Sequence, residues 1–174
     1  MDNLKKRFSQ IFDKNIDKIY RFIFLKVSSP EIAEDLTSET FLRAWEAFQK
    51  TQNPISSTQK EIKNPSAFLY KIARNLITDH YREKGKVQII SADYVRMFDP
   101  RTNLEEKAAL TSDIDTIRLA LSNLKEDYQD VIIWYYLNQF SISEIAQTLG
   151  KSEGAVRVML HRALGALKNE LNQS

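Results

Sequence analysis

The residues from Ile142 to Val156 have the types and spacing of a helix, a tight turn and a second helix, an arrangement whose chemistry is nucleic-acid recognition. Ser141 and Ser152 stand where each helix needs an N-cap. Ala146 leaves room for the second helix to approach the first, Gly150 permits the left-handed backbone that ends the first, and Val156 fits the angle between them. Val156, Leu160, Ala163, Leu167 and Leu171 recur at helical spacing as a buried stripe. Gly154, Arg157, Val158 and His161 then lie on another face, free to meet a major groove. A plain helix pair closing a bundle would account for the stripe, but not for the set Ile145, Ala146, Leu149, Gly150 and Val156.

A second cluster precedes it in the chain. Lys71, Arg74, Thr78 and Arg82 fall on one face of a helical segment, and Leu69, Ile72, Ala73 and Leu76 take the opposite side. A basic face of this kind can hold a phosphate backbone, and Asn75 and Tyr81 could bond to or stack on exposed bases; a solvated helix face is the plain alternative. Other chemistries have little to work with. Without cysteine, and with His80 and His161 alone as histidines, no metal cluster is expected. The nearest candidate acids for an enzyme, Glu34, Asp35 and Glu39, lie together in one acidic segment. No catalytic residue, metal or cofactor is expected.

The elements that must position these residues are helical. The 174 residues are 43% hydrophobic and 28% charged, and 4 Gly and 4 Pro leave little room for hairpins. Apolar periodicity predicts helices over Phe8 to Val27, Pro30 to Gln49 and Ser66 to Lys84, with Ile32, Leu36, Thr40 or Phe41, and Ala44 to Phe48 as the second helix's core stripe. A polar loop should run from Thr51 to Pro65. Further helices are expected over Ser112 to Leu121 and Lys125 to Asn138, then the helix-turn-helix from Ser141 to Leu171. The run Val131 to Leu137, with Trp134, Tyr135 and Tyr136, reads as helix core. The fold class is therefore all-α, two small helical domains of residues 1–86 and 112–174 joined by a linker of residues 87–111. Absence of cysteine fits a reducing compartment, with cytoplasm as the expected location, and the amino-terminal run Phe8 to Val27 is too interrupted by charge for membrane insertion. Charge comes in blocks: residues 1–30 hold seven Lys/Arg against three Asp/Glu, and residues 31–50 hold two against five. Two charged partners of opposite sign would suit this pattern.

Read together, the segments resemble one family. Ala33-Glu-Asp-Leu-Thr-Ser-Glu-Thr-Phe-Leu-Arg-Ala-Trp45 is similar to the polymerase-binding segment of extracytoplasmic-function sigma factors. Phe68-Leu-Tyr-Lys-Ile-Ala-Arg-Asn-Leu-Ile-Thr-Asp-His-Tyr-Arg82 looks like that family's next helix, and Leu121 to Leu124, Ile145 to Gly150, Gly154 to Arg157 and Leu160 to Ala163 resemble its fourth region. The resemblance implies a non-enzymatic subunit that binds core RNA polymerase and promoter DNA, directs initiation including promoter melting, and is held by an anti-sigma factor. It assigns polymerase binding to Asp35, Glu39, Phe41, Arg43 and Trp45, with Phe41 and Trp45 alternatively mostly core. It assigns the minus-ten element to Asn53, Ser56, Asn64, Lys71, Arg74, Asn75, Thr78, Tyr81 and Arg82. The minus-thirty-five element falls to Ser152, Glu153, Gly154, Arg157, Val158, Met159, His161 and Arg162.

Ala155, Val158 and Met159 stand where the family often has Thr, Ser and Arg, so sequence preference should lean on few hydrogen bonds, with apolar contact to thymine methyls. The Thr51 to Pro65 loop is longer than usual; it either holds an extruded base or is a passive insertion. The competing reading is a helix-turn-helix regulator that acts without being a polymerase subunit.

Overall fold

The apolar stripe that begins the chain does not stop at Phe8. In the computed structural model, which describes residues 2–51, 62–84, 113 and 115–173, the first helix α1 runs Asp2–Val27. Half-buried Leu4 extends the stripe one turn back from Phe8. The helix ends where Ser28 turns left-handed, φ 68°, its N–H donating to Phe24 O at 2.9 Å. Ser29 then caps α2 (Pro30–Thr51), with Pro30 in the first-turn position its fixed φ suits.

The core stripe of α2 follows the expected one from Thr40 onward and departs from it only in the first two turns. Ala33, Thr37, Thr40, Phe41, Ala44 and Phe48 are buried, whereas Ile32 and Leu36 are only half-buried. Burial of the threonines is possible because each hydroxyl donates to a carbonyl one turn back, Thr37 to Ala33 O at 2.6 Å and Thr40 to Leu36 O at 2.7 Å. Phe8 lies against Trp45 and Phe48, and Phe12 against Phe41, ring centroids 4.8–5.6 Å apart. Ascending positions on α1 thus meet descending ones on α2, and the two run antiparallel.

Helix α3 (Pro65–Lys84) starts on an Asn64 cap, Ala67 N–H donating to Asn64 Oδ1 at 3.0 Å. Buried Leu69, Tyr70, Ala73, Leu76 and Ile77 seat it on the other two. Polar ties fix both of its ends to α1. Ser66 donates to Asn15 Oδ1 at 2.8 Å, and the Tyr81 hydroxyl donates to Lys26 O. Both ties advance in the same sense, so α1 and α3 are parallel with α2 reversed beside them. These helices lie in one compact unit, Met1–Val87; the second is Gln88–Ser174. The expected linker, residues 87–111, lies outside the described residues, as does most of the expected loop, residues 52–61.

In the second unit, residues 115–122 form α4, and α5 (Glu126–Ile132) continues into a wider π-helical turn, Ile133–Leu137, where a single α-helix had been expected. Then come α6 (Ile142–Leu149) and α7 (Glu153–Gln173), both packed on their neighbours around Val131, Ile133, Trp134, Phe140, Ile145, Val156 and Ala163. The wide turn corrects the expected core run. Trp134 is fully buried, but Tyr135, Tyr136 and Leu137 are exposed. The turn closes through Asn138 N–H to Ile133 O at 3.0 Å and Phe140 N–H to Trp134 O at 2.8 Å, with Gln139 left-handed at φ 55°. Among the described residues there is no strand, and no helix is long and apolar enough to cross a membrane.

A left-handed backbone costs an L-residue with a Cβ about 1–2 kcal/mol, partly offset in glycine by its larger unfolded entropy. Gln139→Gly should therefore stabilise the carboxy-terminal unit by about 0.5–1 kcal/mol, raising its calorimetric midpoint by a few degrees. A lowered midpoint would show that the glutamine side chain contributes more than the strain costs.

Candidate nucleic-acid interface

The turn between α6 and α7 is built from local hydrogen bonds before it is packed. Ser141 and Glu144 form a reciprocal capping box, Glu144 N–H to Ser141 Oγ at 3.1 Å and Ser141 N–H to Glu144 Oε2 at 2.8 Å. Gly150 ends α6 in the left-handed region at φ 65°, ψ 33°, and Lys151 N–H reaches back to Ala146 O at 3.0 Å. Ser152 then caps α7, accepting from Ala155 N–H at 3.1 Å. With Val156, Leu160 and Ala163 buried, the outward side of α7 is set. It carries exposed Glu153, Gly154, Ala155, Arg157, Val158, His161 and Arg162. Met159 is half-buried and sits off that side, and the exposed Ser152 hydroxyl accepts the cap bond. Arg157 Nη2 lies 3.1 Å from Glu153 Oε2.

On α3, Lys71, Asn75 and Arg82 are exposed, and Arg74, Thr78 and Tyr81 are half-buried. Several polar groups expected at this face are engaged within the protein. Thr78 donates to Arg74 O at 2.9 Å, Asn64 uses its side-chain oxygen as the α3 cap, and Tyr81 is the tie to α1. Partial burial also pushes the Tyr81 phenol above its ordinary pKa, so it stays a neutral donor. Asn53 and Ser56 lie outside the described residues.

On α2, Asp35 is exposed and Glu39 is partly so, paired with Arg43 at 2.6 Å. Phe41 and Trp45 turn inward to α1, in line with the alternative that they are mostly core: Phe41 is 5% exposed against Phe12, and Trp45 is half-buried against Phe8. Leu42, overlooked in the sequence, is 53% exposed. The outward stripe is thus Asp35, Glu39, Leu42 and Glu46, at intervals of one helical turn. The signal that could have found Leu42 is its position one place off the buried Phe41. Among the described residues there is no group of His, Cys, Asp and Glu that could hold a metal ion.

Comparison with known proteins places both faces in context. Residues 11–87 match the family described as Sigma-70 region 2, and residues 114–167 match Sigma-70, region 4. The chain is 31% identical over 166 residues to the ECF RNA polymerase sigma factor SigL of Mycobacterium tuberculosis, covering 94% of this chain and 88% of that protein. It is 27% identical to SigW of Bacillus subtilis, at 94% and 88% coverage. It is 28% identical to BldN of Streptomyces coelicolor over 92% of this chain, and spans 58% of that longer protein. The fold is shared with the sigma factor RpoE solved in complex with the anti-sigma factor NepR from Bartonella quintana, at TM-score 0.66 and 22% identity, covering 96% of this chain and 98% of that one. It is also shared with CnrH, solved in complex with the cytosolic domain of CnrY, at TM-score 0.64 and 21% identity, covering 98% and 90%.

The division of α2 into an inward and an outward side predicts opposite responses to truncation. Phe41→Ala should destabilise the amino-terminal unit by about 3–5 kcal/mol, and Leu42→Ala should change its stability by less than about 0.5 kcal/mol. Thermal unfolding of the two variants checks this, and a costly Leu42→Ala would mean that Leu42 is covered in the protein.

Proposed function

Because the chain belongs to the extracytoplasmic-function RNA polymerase sigma factors of the sigma-70 family, we propose that it binds core RNA polymerase, directs it to specific promoters and supports their melting. Both sigma regions follow one another in a single chain, each ending in an outward helix face of distinct charge and shape, and this pairing carries the reading. A DNA-binding regulator alone would need only the second.

The division of labour follows from what each face offers. Residues 1–86 form the polymerase-binding and minus-ten domain, residues 87–111 the linker, and residues 112–174 the minus-thirty-five domain. Asp35, Glu39 and Leu42 on α2 suit a basic polymerase surface with an apolar centre, flanked by Arg43. Phe41 and Trp45 support that face from beneath by fixing α2 on α1. Lys71 and Arg82 on α3 suit the phosphates of the displaced strand, with Arg74 half-buried between them and Asn75 open to a base. Asn53 and Ser56, in the segment joining α2 to α3, complete the minus-ten reader. α7 enters the major groove of the upstream element.

Residues 112–174 hold six Lys/Arg against eight Asp/Glu, which argues for weak DNA binding by the free chain. Polymerase would supply the remaining affinity. Chemistry belongs to the polymerase, so the chain is not itself an enzyme, and it works in the cytoplasm with the polymerase and DNA. The complex known for RpoE with the anti-sigma factor NepR favours an anti-sigma factor as a further partner.

Two experiments test separate parts of this account. Reversing charge with Asp35→Lys and Glu39→Lys should weaken core-polymerase binding about tenfold or more while helical content is retained. Unchanged binding in a pull-down would remove α2 from the interface. Lys71→Ala with Arg82→Ala should lower open-complex formation on all promoters by a similar factor, since phosphate contacts carry no sequence information. Wild-type melting by that double variant would refute the grip assigned to α3.

A further inference from the structure

Glu153 and Arg157 stand one turn apart at the leading end of α7, and their side chains meet at 3.1 Å on an exposed surface. A carboxylate repels phosphates, so it is an unexpected residue on a side that approaches DNA. Its neighbours narrow what it can be doing. Gly154, Ala155 and Val158, exposed beside the pair, have no side-chain hydrogen-bonding group, and the Ser152 hydroxyl is engaged with Ala155 N–H. Among the outward side chains of the first turns of α7, Arg157 is the one with a planar array of donors, with His161 and Arg162 one turn further along.

A lone arginine samples many rotamers and can settle on a phosphate as readily as on a base. A carboxylate one turn before it restricts that freedom in advance. The contact here uses Nη2 of Arg157, and the guanidinium carries five N–H donors in all, so donors remain for a second acceptor pair.

We propose that Glu153 is a positioning residue, aiming the Arg157 guanidinium at the O6 and N7 acceptors of one guanine in the major groove of the upstream element. That G·C pair is then read by directed hydrogen bonds, while Val158 and Ala155 meet thymine methyls nearby. The inference rests on α7 being the helix that reads the upstream element. A merely structural role is the alternative, since an acid in the first turn suits the helix dipole and an i,i+4 pair adds slightly to helix stability.

The test uses the full chain assembled with core polymerase and a promoter library randomised across the upstream element. The wild-type holoenzyme should prefer one G·C pair by about ten- to one-hundredfold over other pairs at that position. Arg157→Ala should abolish that preference. Glu153→Gln should reduce it about three- to tenfold at the same position only, and the double variant should discriminate no worse than Arg157→Ala alone. Helical structural support alone would shift the thermal midpoint and leave the preference intact. Affinity changed by one common factor at every sequence, or additive losses in the double variant, would overturn the positioning role. A wild-type holoenzyme with no preference anywhere in the upstream element would overturn the assignment of α7 as well, so the two failures are distinguishable.

Discussion

The seating of Val156 in the angle between α6 and α7 is the contact on which the carboxy-terminal surface depends. A helix has one buried stripe, and fixing its first member fixes the direction of every other side chain along it. Val156 and Ala163 are fully buried and Leu160 nearly so, which leaves Glu153, Gly154, Arg157, Val158 and His161 no orientation but outward. The corner that makes this possible needs a left-handed residue at Gly150 and closely approaching helices at Ala146. A side chain at Gly150 would strain the left-handed backbone of that corner although it would meet no neighbour.

The amino-terminal unit solves the same problem with polar ties as well as packing. The Asn15–Ser66 and Tyr81–Lys26 hydrogen bonds hold the start and the end of α3 against α1, with Leu69, Tyr70 and Ala73 buried between them. Such bonds add little net free energy, but leaving one partner buried and unsatisfied would be costly, so they favour one register of α3 over its neighbours. Register decides which side of α3 faces outward. Lys71, Asn75 and Arg82 are placed by the same contacts that hold the fold.

Much of this was legible because the residues concerned have local reasons to be where they are. Ser141, Gly150, Ser152 and Val156 each answer a steric or capping demand that can be stated without knowing the rest of the chain. The misreadings have a common cause too. Thr37 counted as polar, yet its hydroxyl bonds to its own helix, so the first half of the α2 stripe runs through Ala33 and Thr37 instead of Ile32 and Leu36. The π turn after Ile132 changes the phase of the helix, exposing Tyr135, Tyr136 and Leu137 although their spacing suits a buried run. A sequence also does not show that Asn64 Oδ1 serves as the α3 cap or that the Tyr81 hydroxyl proton ties α3 to α1.

The central claim is that the chain confers promoter choice on a polymerase that lacks it. Transcription by purified core polymerase on fragmented genomic DNA of the source bacterium, with and without the chain, and with transcript 5′ ends mapped, tests this directly. The account predicts chain-dependent starts at a discrete set of positions, each preceded by the same pair of short sequence blocks at fixed spacing. Starts unchanged by the chain, or sequence-specific DNA binding with no effect on where core polymerase begins, would contradict it.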